Sequence, residues 1–306
     1  MQSSCQEIDL SKLGLSGVEL CIKREDLLHP EVSGNKFRKL NYNLKEAKSL
    51  GSKTLLTFGG AYSNHIAATA AAGALQGFRT IGVIRGEELG GDLERTLSHN
   101  ATLRLAHQKG MQFYFVSREV YRNKDTPEFL EGLKVRFGDF YCIPEGGTNA
   151  LAVRGCEEIL TTEDKERFDL VCCPVGTGGT VSGIINSSRE DQEIIGFSVL
   201  KESYLHKDIS CMTNQSNWKL NRDYHFGGYA KVNDELVNFV NNFYNTYQIL
   251  LDPIYTGKML YGILDMISRK QFLGKRRILA IHTGGIQGID GVNSRLKKKN
   301  KTLIIT

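Results

Sequence analysis

The sequence predicts an α/β fold built on open parallel sheets, and three observations carry that expectation. Short apolar runs alternate with amphipathic stretches along most of the chain, the pattern of strands joined by right-handed helical crossovers. Three of the apolar runs end in glycine turns, at Gly59-Gly60, at residues 176–179 and at Gly284-Gly285. The 306 residues exceed what one core usually serves, so two domains or one large α/β domain are expected.

The elements follow in order. Behind Ser33-Gly34-Asn35, the stripe Phe37, Leu40, Leu44 and Ala47 predicts an amphipathic helix that ends near Gly51. Residues 53–58 read as a buried strand broken by Gly59-Gly60. Ser63-Asn64 then caps a helix that is apolar nearly all round (Ile66, Ala67, Ala70, Ala71, Ala74, Leu75) and closes at Gly77. Strands are predicted over 80–85, 111–116 and 141–143, with helices over 93–110 and 129–137 between them. In the second half, 151–160 reads as helix, 169–173 as a buried strand, 181–188 as helix and 194–200 as strand. Residues 201–231 are polar and irregular and take no assignment. Leu236, Val240, Phe243 and Tyr247 mark one helix, and Leu260, Ile263, Leu264 and Ile267 another; 277–281 is a last buried strand. The run Lys297-Lys298-Lys299-Asn300-Lys301 reads as a solvated tail.

Composition narrows the class. Hydrophobic residues at 41% and charged residues at 24% are ordinary for a soluble globular protein. Thirty-two glycines against 5 prolines favour tight turns over linkers. The net charge of +5 suits an anionic small ligand and does not call for nucleic acid. The 7 cysteines show no Cys-x-x-Cys pair and are odd in number, which reads as small buried hydrophobes in a reducing compartment. Cys172 and Cys173 are adjacent in a strand and should face opposite ways. The histidines show no metal-ligand spacing, so no metal is expected. With no basic-then-apolar leader and no apolar run of roughly 18 residues, a cytoplasmic protein without membrane contact is expected.

Ligands of open parallel sheets bind beyond the carboxyl ends of the strands, so the glycine turns are the places to question. Gly176-Thr177-Gly178-Gly179-Thr180 has the composition of a phosphate cradle: backbone N–H groups converge, hydroxyls add donors, and a helix N-terminus favours an anion. It lacks the Lys-Ser/Thr of a Walker loop, and Val181 stands where a dinucleotide fingerprint has its third glycine. Ser63-Asn64-His65 is either a plain helix cap with a core histidine or a functional corner; no Gly-x-Ser-x-Gly elbow surrounds Ser63. Lys36, at the mouth of a helix, would by itself be a solvent-facing lysine. Together, a lysine at a helix mouth, a phosphate-type turn and an Asn cap after a strand are the parts that hold pyridoxal phosphate.

Seven stretches give the chain a specific resemblance: Lys23-Arg24-Glu25-Asp26-Leu27, Gly34-Asn35-Lys36-Phe37-Arg38-Lys39-Leu40, Gly59-Gly60-Ala61-Tyr62-Ser63-Asn64-His65, Gly146-Gly147-Thr148-Asn149-Ala150-Leu151, Pro174-Val175-Gly176-Thr177-Gly178-Gly179-Thr180, Asp252-Pro253-Ile254-Tyr255-Thr256-Gly257-Lys258, and His282-Thr283-Gly284-Gly285. The chain resembles the fold type II pyridoxal-phosphate enzymes, within the 1-aminocyclopropane-1-carboxylate deaminase and D-cysteine desulfhydrase family. The resemblance implies two open parallel-sheet α/β domains of the tryptophan synthase β type. The larger, cofactor-binding one would comprise 1–40 with 150–306, and the smaller inserted one 41–149. It also implies that Lys36 bonds the cofactor covalently and Lys39 helps neutralise its phosphate. Gly176, Thr177, Gly178, Gly179 and Thr180 would cradle that phosphate, and Asn64 would meet the phenolate oxygen. Ser63, Tyr229 and Tyr255 would stand around the reacting carbon, with Ser63, Asn64 and His65 on the substrate. A homodimer is the expected assembly.

The branch is a question of electronics. In a cyclopropane-opening deaminase, the resemblance implies a glutamate directly after the tyrosine matching Tyr255, keeping the pyridine nitrogen protonated. Here that position is Thr256, and Thr283 offers a second neutral hydroxyl. A neutral partner makes a weaker electron sink, sufficient when a good leaving group departs from the β-carbon. The expectation is therefore β-elimination on a D-cysteine-like amino acid, giving pyruvate, ammonia and sulfide. Lys36, Ser63 or Tyr255 would take the α-proton. The alternatives are a 1-aminocyclopropane-1-carboxylate deaminase giving 2-oxobutanoate and ammonia, and a non-catalytic protein binding pyridoxal phosphate or a small anion. Tyr62 departs from the family's frequent glutamine, and Glu145 stands where an apolar residue is expected.

Overall fold

Two sheets organise the chain in the computed structural model, which describes residues 1–201, 204–272 and 276–306. The chain opens with β1 (Cys5–Glu7), β2 (Val18–Lys23) and α1 (Asn35–Ser49). It continues through β3 (Thr54–Gly60), α2 (Asn64–Gln76), β4 (Arg79–Arg85), α3 (Leu93–His99), α4 (Ala101–Gln108) and β5 (Gln112–Val116). Next come α5 (Arg118–Arg122), α6 (Pro127–Phe137), β6 (Tyr141–Ile143), α7 (Ala150–Cys156), α8 (Thr162–Arg167) and β7 (Leu170–Val175). The remainder is α9 (Gly179–Ser187), β8 (Glu193–Ser198), α10 (Leu205–Met212), β9 (Trp218–Asn221), α11 (Asp234–Tyr247), α12 (Thr256–Ser268), β10 (Arg276–Ile281) and α13 (Gly288–Lys297).

One sheet has the order β1-β2-β10-β7-β8-β9 and the other β5-β4-β3-β6. Every pairing is parallel except β1 with β2, where a short edge strand runs antiparallel. The expected parallel α/β fold is the one observed. The six-stranded sheet is covered on both faces, which is why its strands read as continuous apolar runs. Leu20, Ile22, Cys172, Phe197 and Ile278 pack under α11, α12 and α13. Cys21, Cys173, Val175, Ile194 and Ile281 pack on the other side, against Ile184, Ile185 and Ile209. Cys172 and Cys173 thus face opposite ways, and all seven cysteines are free thiols. In the four-stranded sheet, α2 is buried from His65 through Gly73, giving Ala68, Ala71 and Ala72 to one cluster and Ile66 and Ala70 to another. A helix closed in on all sides needs small apolar residues all round, as its sequence has.

Several boundaries differ from the sequence reading. Gly59 and Gly60 continue β3 rather than breaking it. The helix expected over 93–110 divides at Asn100, whose extended backbone (φ −128°) ends α3 while its side chain accepts from Leu103 N–H to cap α4. The one expected over 151–160 stops at Cys156. Within 201–231 the chain forms α10 and the edge strand β9; Glu202 and Ser203 lie outside the described residues. The C-terminus is no free tail. Lys301 pairs with Asp234 at 2.8 Å, and buried Ile304 exchanges two hydrogen bonds with the Asn293 side chain.

The stretch Lys23-Arg24-Glu25-Asp26 serves the fold. Arg38 on α1 makes a two-pronged pair with Glu25 (2.9 and 3.0 Å), Arg24 one with Asp26, and buried Lys23 bonds Asp164. Removing one member of the enclosed Arg38–Glu25 pair would strand the other, a cost of about 3–5 kcal/mol. The pair fixes α1 to the end of β2, and with it the residues at the mouth of α1.

Candidate active site

Four strand ends converge on one cleft. β7 runs out into Gly176, β10 into Thr283 and Gly284, β3 into the turn before Asn64, and β6 into Gly146. These residues, with Lys36, Lys39 and Tyr255, line about 530 Å³ of space between atoms. The place is the one the topology dictates for a ligand of parallel sheets.

Gly34 sets the position of Lys36. Its backbone (φ 63°, ψ −143°) suits glycine alone, and a Cβ there would stand 2.0 Å from the Thr283 carbonyl oxygen. Asn35 N–H donates to that same carbonyl at 3.2 Å, so the mouth of α1 is pinned to the end of β10. Lys36 keeps some contact with solvent, but its amine is enclosed and meets Asn35 Oδ1 only at 3.3 Å. Burial first, and then the Lys39 charge, drives it down to about 7.

Lys39, 2% exposed, donates to the Gly146 carbonyl (3.0 Å) and Thr148 Oγ1 (2.8 Å) and lies 3.5 Å from Thr177 Oγ1. The Thr148 and Thr177 hydroxyls are 2.5 Å apart. Burial lowers the Lys39 ammonium as well. The turn above it is open because it is glycine. Gly178 is left-handed (φ 85°), and a Cβ on Gly179 would stand 3.2 Å from Lys39 Nζ. A Cβ on Gly176 would stand 3.0 Å from the Tyr255 ring. The Thr180 hydroxyl accepts from Asn35 Nδ2 at 2.7 Å. Among the described residues, the lining carries two lysine amines, Lys36 and Lys39, and no carboxylate.

On the opposite wall, Ser63 is the N-cap residue of α2 but makes no side-chain capping bond, and Asn64 lines the cleft. Asn64 Oδ1 is buried without a partner among the described residues. Gly285 admits this side chain, since a Cβ there would stand 2.7 Å from Asn64 Nδ2. Tyr255 meets the Tyr229 ring edge-on at 6.1 Å between centroids. Burial raises both phenols; Tyr229 adds to the rise at Tyr255, whereas a hydrogen bond with Tyr255 counters it at Tyr229.

Of the residues singled out from sequence, Lys36, Lys39, Asn64, Gly176, Thr177, Gly178, Thr180, Tyr255 and Thr283 line the cleft. Ser63, His65, Gly179, Tyr229 and Thr256 stand just behind or beside it. His65 is a core histidine: Thr57 Oγ1 donates to the Ile143 carbonyl (2.8 Å), so it accepts from His65 Nε2–H at 2.7 Å. Burial, then Lys36 and Lys39, keeps that imidazole neutral. Thr256 is fully buried at the start of α12, and its hydroxyl has no hydrogen-bond partner among the described residues. Sequence reasoning gave no role to Asn35, Thr148 or Asp252. The first two adjoin glycine turns in quoted stretches, which was the available signal. Asp252 accepts N–H bonds from Ile254, Tyr255 and Thr256 (3.0, 2.7 and 2.8 Å) and so builds the first turn of α12. Burial pushes its carboxyl up, against the pull of those three donors.

A lysine whose amine has one long hydrogen bond, a glycine turn and a second, buried lysine define the class. Residues 7–284 match the family model of the pyridoxal-phosphate dependent enzymes. The chain belongs to that family, within the group of 1-aminocyclopropane-1-carboxylate deaminases and D-cysteine desulfhydrases, and its cofactor is pyridoxal phosphate. It is 32% identical over 293 residues to a Pyrococcus abyssi protein provisionally named a 1-aminocyclopropane-1-carboxylate deaminase, covering 89% of this chain and 86% of that one. It is also 32% identical over 299 residues to the mitochondrial bifunctional D-cysteine desulfhydrase/1-aminocyclopropane-1-carboxylate deaminase of Arabidopsis thaliana, covering 90% and 74%. The crystal structure of an ACC deaminase homologue superposes with a TM-score of 0.82 at 28% identity, over 97% of this chain and 94% of that one. Membership of an enzyme family sets aside the non-catalytic reading.

Proposed function

We propose that this lyase/deaminase carries out β-elimination on a D-cysteine-like amino acid, converting it with one water to pyruvate, ammonia and sulfide. The observation that carries the reading is the absence of any carboxylate among the described residues that line the cleft, together with the neutral hydroxyls of Thr283 at the cleft and Thr256 behind it. Asp252, just before α12, already accepts three backbone N–H bonds.

The residues present suit the cofactor. The Gly176–Thr180 turn, where a Cβ would crowd Tyr255 at Gly176 and Thr148 at Gly179, and Lys39, whose partners are neutral oxygens, would hold the phosphate. The Asn64 side chain, which lines the cleft, would donate its Nδ2–H to the ring oxygen, and Lys36 would hold the group covalently. When bound, pyridoxal phosphate supplies the electron sink that stabilises negative charge at the substrate α-carbon. Lys36, once displaced by the substrate amine, is the residue best matched to take the α-proton, since its amine near 7 exchanges protons at neutral pH. Burial keeps the Tyr255 phenol protonated, which suits it to donate to the departing group. Ser63 and the N–H groups opening α2 would hold the substrate carboxylate. The same reading makes the six-stranded part the larger domain (1–40 with 150–306), the four-stranded part the inserted one (41–149), and the molecule a cytoplasmic homodimer.

The names of the relatives favour 1-aminocyclopropane-1-carboxylate deamination as the second reading. Product analysis separates the two. Loaded enzyme given D-cysteine should release pyruvate and sulfide in equal amounts; a higher kcat/KM for 2-oxobutanoate from the cyclopropane substrate would overturn the assignment.

A further inference from the structure

Residues 224–230 lie along one stripe of α12. The Tyr224 hydroxyl donates to Asp265 Oδ2 at 2.7 Å, Phe226 meets Tyr261 edge-on at 4.9 Å, and Tyr229 meets Tyr255. The positions 255, 258, 261 and 265 are three and four apart, hence on a single helix face. Lys258 sits in the middle of it. Its side chain is enclosed, and its Nζ donates to the carbonyls of His225 and Gly228, each at 2.9 Å.

The segment needs such a tether. Phe226, Gly227, Gly228 and Ala230 have φ of 52°, 90°, 112° and 54°. Two are not glycine, and non-glycine residues hold this conformation only when their surroundings impose it. An ammonium on a flexible stem reaches two loop carbonyls at once and satisfies both inside the protein. We infer that Lys258 is a positioning residue: by bonding the His225 and Gly228 carbonyls it fastens the 225–230 loop to α12, so that Tyr229 stands against Tyr255 at the cleft. This deepens the proposed function: it rests on the use of Tyr255 there and places Tyr229, which meets that ring, beside the reacting carbon as well.

Lys258→Met keeps the bulk and removes the donors. With the cofactor loaded and its visible absorbance retained, the variant should be cut by chymotrypsin after Phe226 or Tyr229 at least about tenfold faster than the parent. Its kcat should fall about tenfold with a smaller change in KM. In a Tyr229→Phe background the same change should cost less than about twofold more, because both substitutions act through the Tyr229 hydroxyl, one by removing it and the other by displacing it. Unchanged cleavage overturns the clamp, and a fully additive loss of kcat overturns action through Tyr229. If Tyr229→Phe alone leaves turnover intact, the placing of Tyr229 falls, while the cleavage rate still decides the clamp. Should Lys258→Met not fold, Lys258→Gln takes its place in the same cycle.

Discussion

Lys36 at the cleft and Lys258 behind Tyr255 occupy like positions, each in the first turn of its helix with an enclosed amine. Burial depresses both, to about 7 and about 8. What differs is hydrogen bonding. Lys258 has two carbonyl acceptors at 2.9 Å, whereas Lys36 has one amide oxygen at 3.3 Å, near the limit of a hydrogen bond. A depressed lysine is therefore not by itself a reactive one. A reactive lysine combines a lowered proton affinity with donors that the protein has not used.

The comparison fails if Lys36 can be spared. Lys36→Ala should lower turnover by about 10³-fold or more and abolish the absorbance of covalently held cofactor, because it removes both attachment and proton transfer. In the apoprotein, acylation of Lys36, followed by peptide mass analysis, should accelerate as pH rises through about 7, where the amine loses its proton. A midpoint near the ordinary 10.5 would remove the ground for distinguishing it.

Lys39 comes next, one turn along α1. Its replacement by Met removes a buried charge facing the glycine turn and should weaken cofactor binding about 10- to 100-fold, measured by equilibrium titration of the apoprotein. Cofactor affinity unchanged within twofold would place the phosphate elsewhere.

How much of this could be read from sequence follows from the range of each interaction. Strands covered on both faces announce themselves as apolar runs, so β3, β7 and β10 were legible; glycines follow β7 and β10, whereas Gly59 and Gly60 belong to β3 itself. The two edges of the six-stranded sheet were not legible: β1 and β9 are short and half exposed, and nothing periodic marks them. Lys36 stood out because of what surrounds it in the chain. The depth of its amine and the pairing of Asn35 with Thr180, 145 residues apart, depend on tertiary contact. His65 looked like a candidate for substrate contact, and it takes Thr57 and Gly147 around its ring to place it in the core. Lys258 lay within a quoted stretch, yet its acceptors are backbone carbonyls, which leave no mark on residue type.

A smaller effect separates the two lysines by stability. Lys258→Met strands two loop carbonyls and should destabilise the apoprotein by about 2 kcal/mol, read from urea unfolding. A stabilising change would mean that the amine's burial cost outweighs its bonds and that the site resembles Lys36 after all.

The smallest effect should have the opposite sign. At Lys36 the protein bears the cost of enclosing an amine that has little hydrogen bonding in return, so Lys36→Met should stabilise the apoprotein by about 1 kcal/mol at pH 7. The pH dependence supplies the control. Between about 7 and the ordinary 10.5, the unfolded chain holds a proton on Lys36 that the folded chain does not. Unfolding then takes up a proton, and stability rises with pH across that window, by at most about 1.4 kcal/mol per unit for one group. Below about 7 the folded chain is protonated as well and the cost is complete. Lys258 contributes a similar slope from about 8 upward in parent and variant alike, so the difference between them isolates Lys36. The advantage of Lys36→Met should therefore be largest at pH 7 and shrink toward pH 9. A constant difference would show that the gain comes from packing, and a loss at both pH values would show that the Lys36 amine is better satisfied than its single long contact implies.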